Sequence, residues 1–84
     1  MLTGGVWAEI KVGSEHLRLF SESNAQGVQA SVYNVTTKTW LAPSKDVDDI
    51  QEGKEWAADV ARAHLKRTAN LDLPELVWKE ARSR

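Results

Sequence analysis

Few side chains in this 84-residue chain are equipped to act on a substrate: it has no cysteine and two histidines, His16 and His64. Neither histidine has a serine and a carboxylate near it in an order that suggests a nucleophilic triad. The densest acidic run is Asp46-Val47-Asp48-Asp49. A calcium loop would need an oxygen ligand where Ile50 stands and a glycine at its centre, so the run suits a helix N-terminus instead, where acids meet the positive end of the macrodipole. Asn34-Val35-Thr36 matches a glycosylation sequon by chance, and Gly4-Gly5 is no phosphate loop. The chain therefore reads as a non-enzyme that holds no metal and no cofactor.

What remains is recognition by aromatic surface. The chain carries four tryptophans, one tyrosine and one phenylalanine, and their positions depend on the elements that present them. Val6 to Val12 alternates apolar and polar residues, as does His16 to Phe20, and Gly13-Ser14 between them suits a two-residue type II′ turn. That turn sets Ile10 opposite Leu17 and Ala8 opposite Leu19 on one face. On the other face Glu9 meets Arg18 and Trp7 meets Phe20, an ion pair and an aromatic pair side by side. Ser21 to Gly27 is a polar loop, after which Val28, Ala30 and Val32 alternate in a third strand. A tight turn at Thr36-Thr37 would pair Tyr33 with Trp40 and Val32 with Leu41 in a fourth strand ending at Pro43, without the glycine or asparagine that a type I′ turn prefers.

A helix then begins near Ser44 to Asp46 and runs to Ala69-Asn70, with Val47, Ile50, Ala57, Ala61, Leu65 and Thr68 on the face toward the sheet. Gly53 weakens it by up to ~1 kcal/mol relative to alanine. Trp56, Val60 and Ala63 form a stripe on the opposite side. Asp72 and Pro74 start a short second helix through Ala81, whose apolar run is placed to cover the Trp56 and Val60 stripe, and residues 81–84 fray. The expected fold is α+β and a single domain over 1–84. It comprises a three- to four-stranded antiparallel β-meander (5–43), one amphipathic helix packed on one sheet face (44–70) and a short C-terminal helix (72–82), in the order β-β-β-β-α-α.

A domain of this size buries only a little over ~60% of the surface of its unfolded chain, so association is one route to added stability. No apolar run is long enough for a membrane span and the N-terminus has no signal-peptide pattern, which points to a cytoplasmic protein. Net charge is −1, too little for a global pull on nucleic acid or lipid. Residues 1–43 hold three acids and three bases, 44–59 six acids and two bases, and 60–84 three acids and six bases. The split matches a helix with acids at its positive end and bases at its negative end.

Trp7, Phe20, Tyr33 and Trp40 thus fall on the outer sheet face, Trp56 on the back of the helix and Trp78 in the tail. Each aromatic can bury about 150–250 Å², so four in one patch rival the ~300–600 Å² of the largest patch on a typical monomer. The leading expectation is a small non-catalytic interaction domain, a homodimer or a binder of another protein. Trp7, Tyr33 and Trp40 are its anchors, with Phe20 in support and Arg18 at the rim. The alternative is single-stranded nucleic acid on the same face, with bases stacked on the rings and phosphates held by Lys11, His16, Arg18 and Lys38. In order of strands and helix the chain resembles the β-sheet DNA-binding domains of some integrases and single-strand-binding coactivators, a likeness of topology that carries no residue over. In size, mild acidity and exposed aromatics it is similar to small phage or mobile-element inhibitors of host proteins, anti-CRISPR proteins among them.

Overall fold

Gly13 adopts φ 59° and Ser14 keeps a negative φ, the combination of a type II′ rather than a type I′ turn. The hairpin it closes joins β1 (Leu2–Val12) to β2 (Glu15–Asn24). Its register is the expected one: Val12 opposite Glu15, Ile10 opposite Leu17, Glu9 opposite Arg18, Ala8 opposite Leu19 and Trp7 opposite Phe20. The computed structural model describes residues 2–81.

The expected loop over Ser21 to Gly27 is corrected, because β2 continues to Asn24 and only Ala25-Gln26 turns into β3 (Gly27–Asn34). Two of the polar residues there, Ser21 and Asn24, have hydrogen bonds that suit the strand and its end. Ser21 is fully buried and its hydroxyl donates to the Ile50 carbonyl at 2.8 Å, while Asn24 accepts from the Gln26 amide at 2.8 Å and so starts the turn.

β4 (Thr39–Trp40) pairs Tyr33 with Trp40 and Asn34 with Thr39, and the Leu41 amide donates to the Val32 carbonyl at 3.0 Å. The expected register holds, but through a four-residue loop, 35–38, rather than a tight two-residue turn. The buried Asn34 side chain accepts from the Thr36 and Thr37 amides at 3.0 and 3.3 Å, and Lys38 takes the left-handed φ of 59° that closes the loop.

The chain leaves the sheet through Ala42-Pro43, since proline cannot donate to the ladder. It returns as β5 (Lys45–Val47), pairing Val28 with Val47, Gln29 with Asp46 and Ala30 with Lys45. This strand displaces the expected helix start at 44. The helix, α1 (Ile50–Ala69), begins where the Asp49 carboxylate caps the Glu52 amide at 2.8 Å, and it ends at Asn70, with φ 53° and ψ 41°.

α1 lies across β2 and β3 and touches β5. Its buried face is Gly53, Ala57, Ala61, His64 and Leu65, whereas Thr68 is exposed, contrary to expectation. Thr68 donates to the His64 carbonyl at 2.8 Å, a back-bond available at the helix surface. Ala57, Ala61 and Leu65 meet Leu17, Leu19, Val32 and Ile10 in the core. Trp56 and Val60 reach the margin of that core rather than standing behind the helix, and Ala63 is exposed.

No helix forms over residues 71–78; the chain there is irregular and ends in β6 (Lys79–Glu80), antiparallel to β1, with Val6 opposite Glu80 and Trp7 opposite Lys79. The expected second helix at 72–82 is therefore corrected, as is the strand count. The sheet order is β4-β3-β2-β1-β6, with β5 on the same β3 edge as β4. Tertiary need overrides the helix signal of Asp72 and Pro74. α1 covers β2 and β3, so Ala8 and Ile10 on β1 need another cover, and Leu71, Leu73, Leu76 and Trp78 supply apolar side chains to the core. Leu71, Leu73, Leu76 and Trp78 pack against the same core that Trp56 and Val60 border, while Lys54 on α1 lies over the Trp78 ring, 5.5 Å from its centroid. Residues 82–84 of the expected helix and frayed end lie outside the described residues.

Candidate interaction face

Alternation and register sort the outer face into rows. One row runs Lys79, Trp7, Phe20, Ser31 across β6, β1, β2 and β3; the next runs Glu9, Arg18, Tyr33, Trp40 across β1 to β4. Trp7, Phe20, Tyr33, Trp40 and Arg18, the five residues expected to contact a partner, all fall in these two rows.

Trp40 is the centre of the cluster. It sits at the sheet edge with 59% of its surface exposed. Its ring meets Tyr33 edge-on at 4.8 Å and 64°, and leans toward Phe20 at 6.2 Å and 58°. Such tilted contacts hold aromatic rings in defined orientations. Trp7 stands opposite Phe20 in register, but its ring is met by the Lys79 ammonium, 5.4 Å from the centroid. Nothing in the sequence periodicity pointed to Lys79, because its place depends on the tail returning to the edge of β1. Beside Trp40, Leu41, Ala42, Pro43 and Ser44 complete an open depression of ≈ 370 Å³. Its local signal was Pro43, which forces the chain off the ladder.

The charged groups of this face largely satisfy one another. Glu9 Oε2 is bonded to His16 Nε2 at 2.6 Å and accepts from Arg18 Nε at 3.0 Å. The hydrogen bond to His16 and then that to Arg18 hold the Glu9 carboxyl down at about 2. Burial among its neighbours pushes Glu22 above the usual carboxylate range. Gln29 donates to Asp46 at 3.0 Å. Of the four cations expected to hold phosphates, His16 and Arg18 are thus drawn onto Glu9, Lys38 stands in the 35–38 loop and Lys11 lies on β1, both exposed. Lys11 stands opposite His16 in register, next to the Glu9 and Arg18 pair.

His16 and His64 occupy opposite sides of the sheet. His64 Nε2 is 2.8 Å from Glu15 Oε1 in a nearly buried pair between α1 and the hairpin. No three His, Cys, Asp or Glu side chains among the described residues are grouped to hold a metal ion. Among the same residues no helix is long and apolar enough to cross a membrane.

The arrangement can therefore offer rigid rings, one open depression and a paired carboxylate and guanidinium to another surface. Comparison with protein-family models, with curated proteins and with solved structures gives no significant match.

Proposed function

We propose that the chain is a non-catalytic interaction domain that binds a protein partner through the Phe20, Tyr33 and Trp40 cluster. The exposure of Trp40 within a cluster that orients its ring carries this reading. A preset tryptophan loses little side-chain entropy on binding and suits an interface anchor, while Arg18, held by Glu9, offers a donor group at the rim. Trp7 extends the same surface toward β6.

The balance of charge separates this reading from single-stranded nucleic acid. Bases could stack on the same rings, but phosphates need free cations beside them, and Glu9 takes up His16 and Arg18 while the Lys79 ammonium lies over the Trp7 ring,. An inhibitor of a host protein would use the face in the same way, so it is a special case of the first reading.

The test has two arms. Tryptophan fluorescence is titrated with a single-stranded oligonucleotide at low salt; no quenching is expected, and quenching that weakens steeply with salt would move the assignment to nucleic acid. Immobilised wild type and Trp40→Ala/Tyr33→Ala are exposed to extract of the source cell, and a retained protein is then purified and titrated directly. Binding to wild type should be at least about tenfold tighter than to the double variant, roughly the effect of losing one hot-spot aromatic. Equal retention of all proteins by both baits would overturn the proposal.

A further inference from the structure

The aromatic face is bounded by two edges that differ in kind. On one side β4 and β5 are short and separated by Pro43, features that blunt an edge. On the other side β6 pairs with only Val6 and Trp7, which leaves the stretch of β1 from Ala8 to Val12, ending at the Gly13-Ser14 turn, without a neighbour strand among the described residues.

The hydrogen-bond parity of that stretch follows from the turn. In a two-residue hairpin the closing pair, Val12 and Glu15, is hydrogen-bonded, so Val12, Ile10 and Ala8 bond to β2 while Lys11 and Glu9 direct their N–H and C=O groups outward. The same parity sends Gly5 outward, and there the Ala81 amide donates to its carbonyl at 2.9 Å. It also sends His16 toward β3, where its carbonyl accepts from the Val35 amide at 2.8 Å. Glu9 and Lys11 have no such backbone partner among the described residues.

We infer that a second copy of this chain pairs with the first through the β1 edge, antiparallel about a two-fold axis at Ile10. Three independent features select this register. Ile10 is the midpoint of the open stretch. A two-fold there makes Glu9 opposite Lys11 of the second copy a hydrogen-bonded pair, and Lys11 opposite Glu9 the other, using the outward backbone groups of both residues. The same pairs are of opposite charge, and Lys11 makes no ion pair in the single chain among the described residues. A slip by two residues would lose both charge pairs. Ile10 then meets Ile10 on the helix side of the joined sheet; the new ladder is confined to Ala8–Val12, because Lys79 and Glu80 fill the edge opposite Trp7 and Val6 and the Gly13-Ser14 turn bends each strand toward its own β2.

The inference goes beyond the aromatic-face reading and does not depend on it. It joins two aromatic faces into one continuous surface and leaves both uncovered.

The test starts with wild type. Sedimentation equilibrium should show a dimer, and amide exchange at Glu9 and Lys11 should slow by about tenfold or more between dilute and concentrated solution. Exchange at Ile10, already bonded to β2, should not follow. Lys11→Glu, which sets like charges opposite each other, should be a folded monomer by circular dichroism and sedimentation, and Trp40→Ala should remain dimeric. A wild-type monomer at every concentration would overturn the inference. So would a dimer that leaves Glu9 and Lys11 amides unprotected, or one that Lys11→Glu does not weaken. Loss of partner binding in Trp40→Ala/Tyr33→Ala with the dimer intact bears on the aromatic face alone.

Discussion

Gly53 of α1 rests directly on Ser21 of β2: a Cβ built at Gly53 would lie 3.0 Å from the Ser21 Cβ and closer still to its hydroxyl oxygen. Both residues are buried, and the same hydroxyl donates to the Ile50 carbonyl one turn earlier. The glycine that weakens the helix is therefore what lets its first turns reach the sheet.

Gly53→Ala should lower stability although alanine is the better helix former by ~1 kcal/mol, because the overlap costs about 1–3 kcal/mol. Urea denaturation measures the net sign. Ser21→Gly/Gly53→Ala should recover part of the loss, since the two sites share one contact.

Lys38→Gly should raise stability by up to about 1 kcal/mol, because a lysine in the left-handed region carries roughly that strain and glycine does not. Thermal melts would show the gain. A tight Thr36-Thr37 turn would give none, since Lys38 would then be an ordinary strand residue.

Two carboxylates should set opposite pH responses. Glu9 is held at about 2, below its ordinary 4.5, so its stabilisation is complete above pH 4.5 and disappears as pH falls from 4.5 through about 2. Glu9→Gln should flatten that part of the acid limb and lower stability at neutral pH. Glu22 is shifted upward by burial, so it favours the fold below its unfolded pKa and opposes it once pH rises through the folded value. Glu22→Gln should stabilise the protein at neutral pH. Equilibrium urea unfolding at a series of pH values from 2 to 7 would compare the three proteins.

Ending the chain at Asn70 should unfold the domain or leave it with exposed apolar surface. It removes β6 and the apolar cover over β1, and the loss of several half-buried side chains, each of order 1 kcal/mol or more, is comparable to the ~5 kcal/mol margin of a small domain. Circular dichroism and dye binding would read this. Leu76→Ala in the full chain should cost a smaller amount and keep the cooperative transition.

Much of the sheet was legible from local pattern. Gly13-Ser14 between two alternating runs defined the first hairpin to the residue, and the Tyr33 to Trp40 register followed from keeping aliphatics on one face even though the loop was of another kind. Asn34 was the missed signal there: its side chain can organise the loop that the two threonines cannot. The aromatic cluster was visible for the same reason, since a period of two assigns faces without knowledge of what covers them.

The termini of the helix and the fate of the tail were not visible in this way. Ser44, Asp46 and Asp49 are all competent caps, and the choice fell to Asp49 because Lys45 to Val47 gain a ladder against β3. Asp72 and Pro74 favour a helix locally, yet residues 71–78 are irregular because α1 is too narrow to cover β1 as well. What the amino-acid order determined alone is the alternation of the strands, the turn that sets their register and the side of the sheet on which Trp7, Phe20, Tyr33 and Trp40 lie. What only the tertiary structure decided is which edge each remaining segment completes, because that depends on apolar surface left bare by elements distant in the chain.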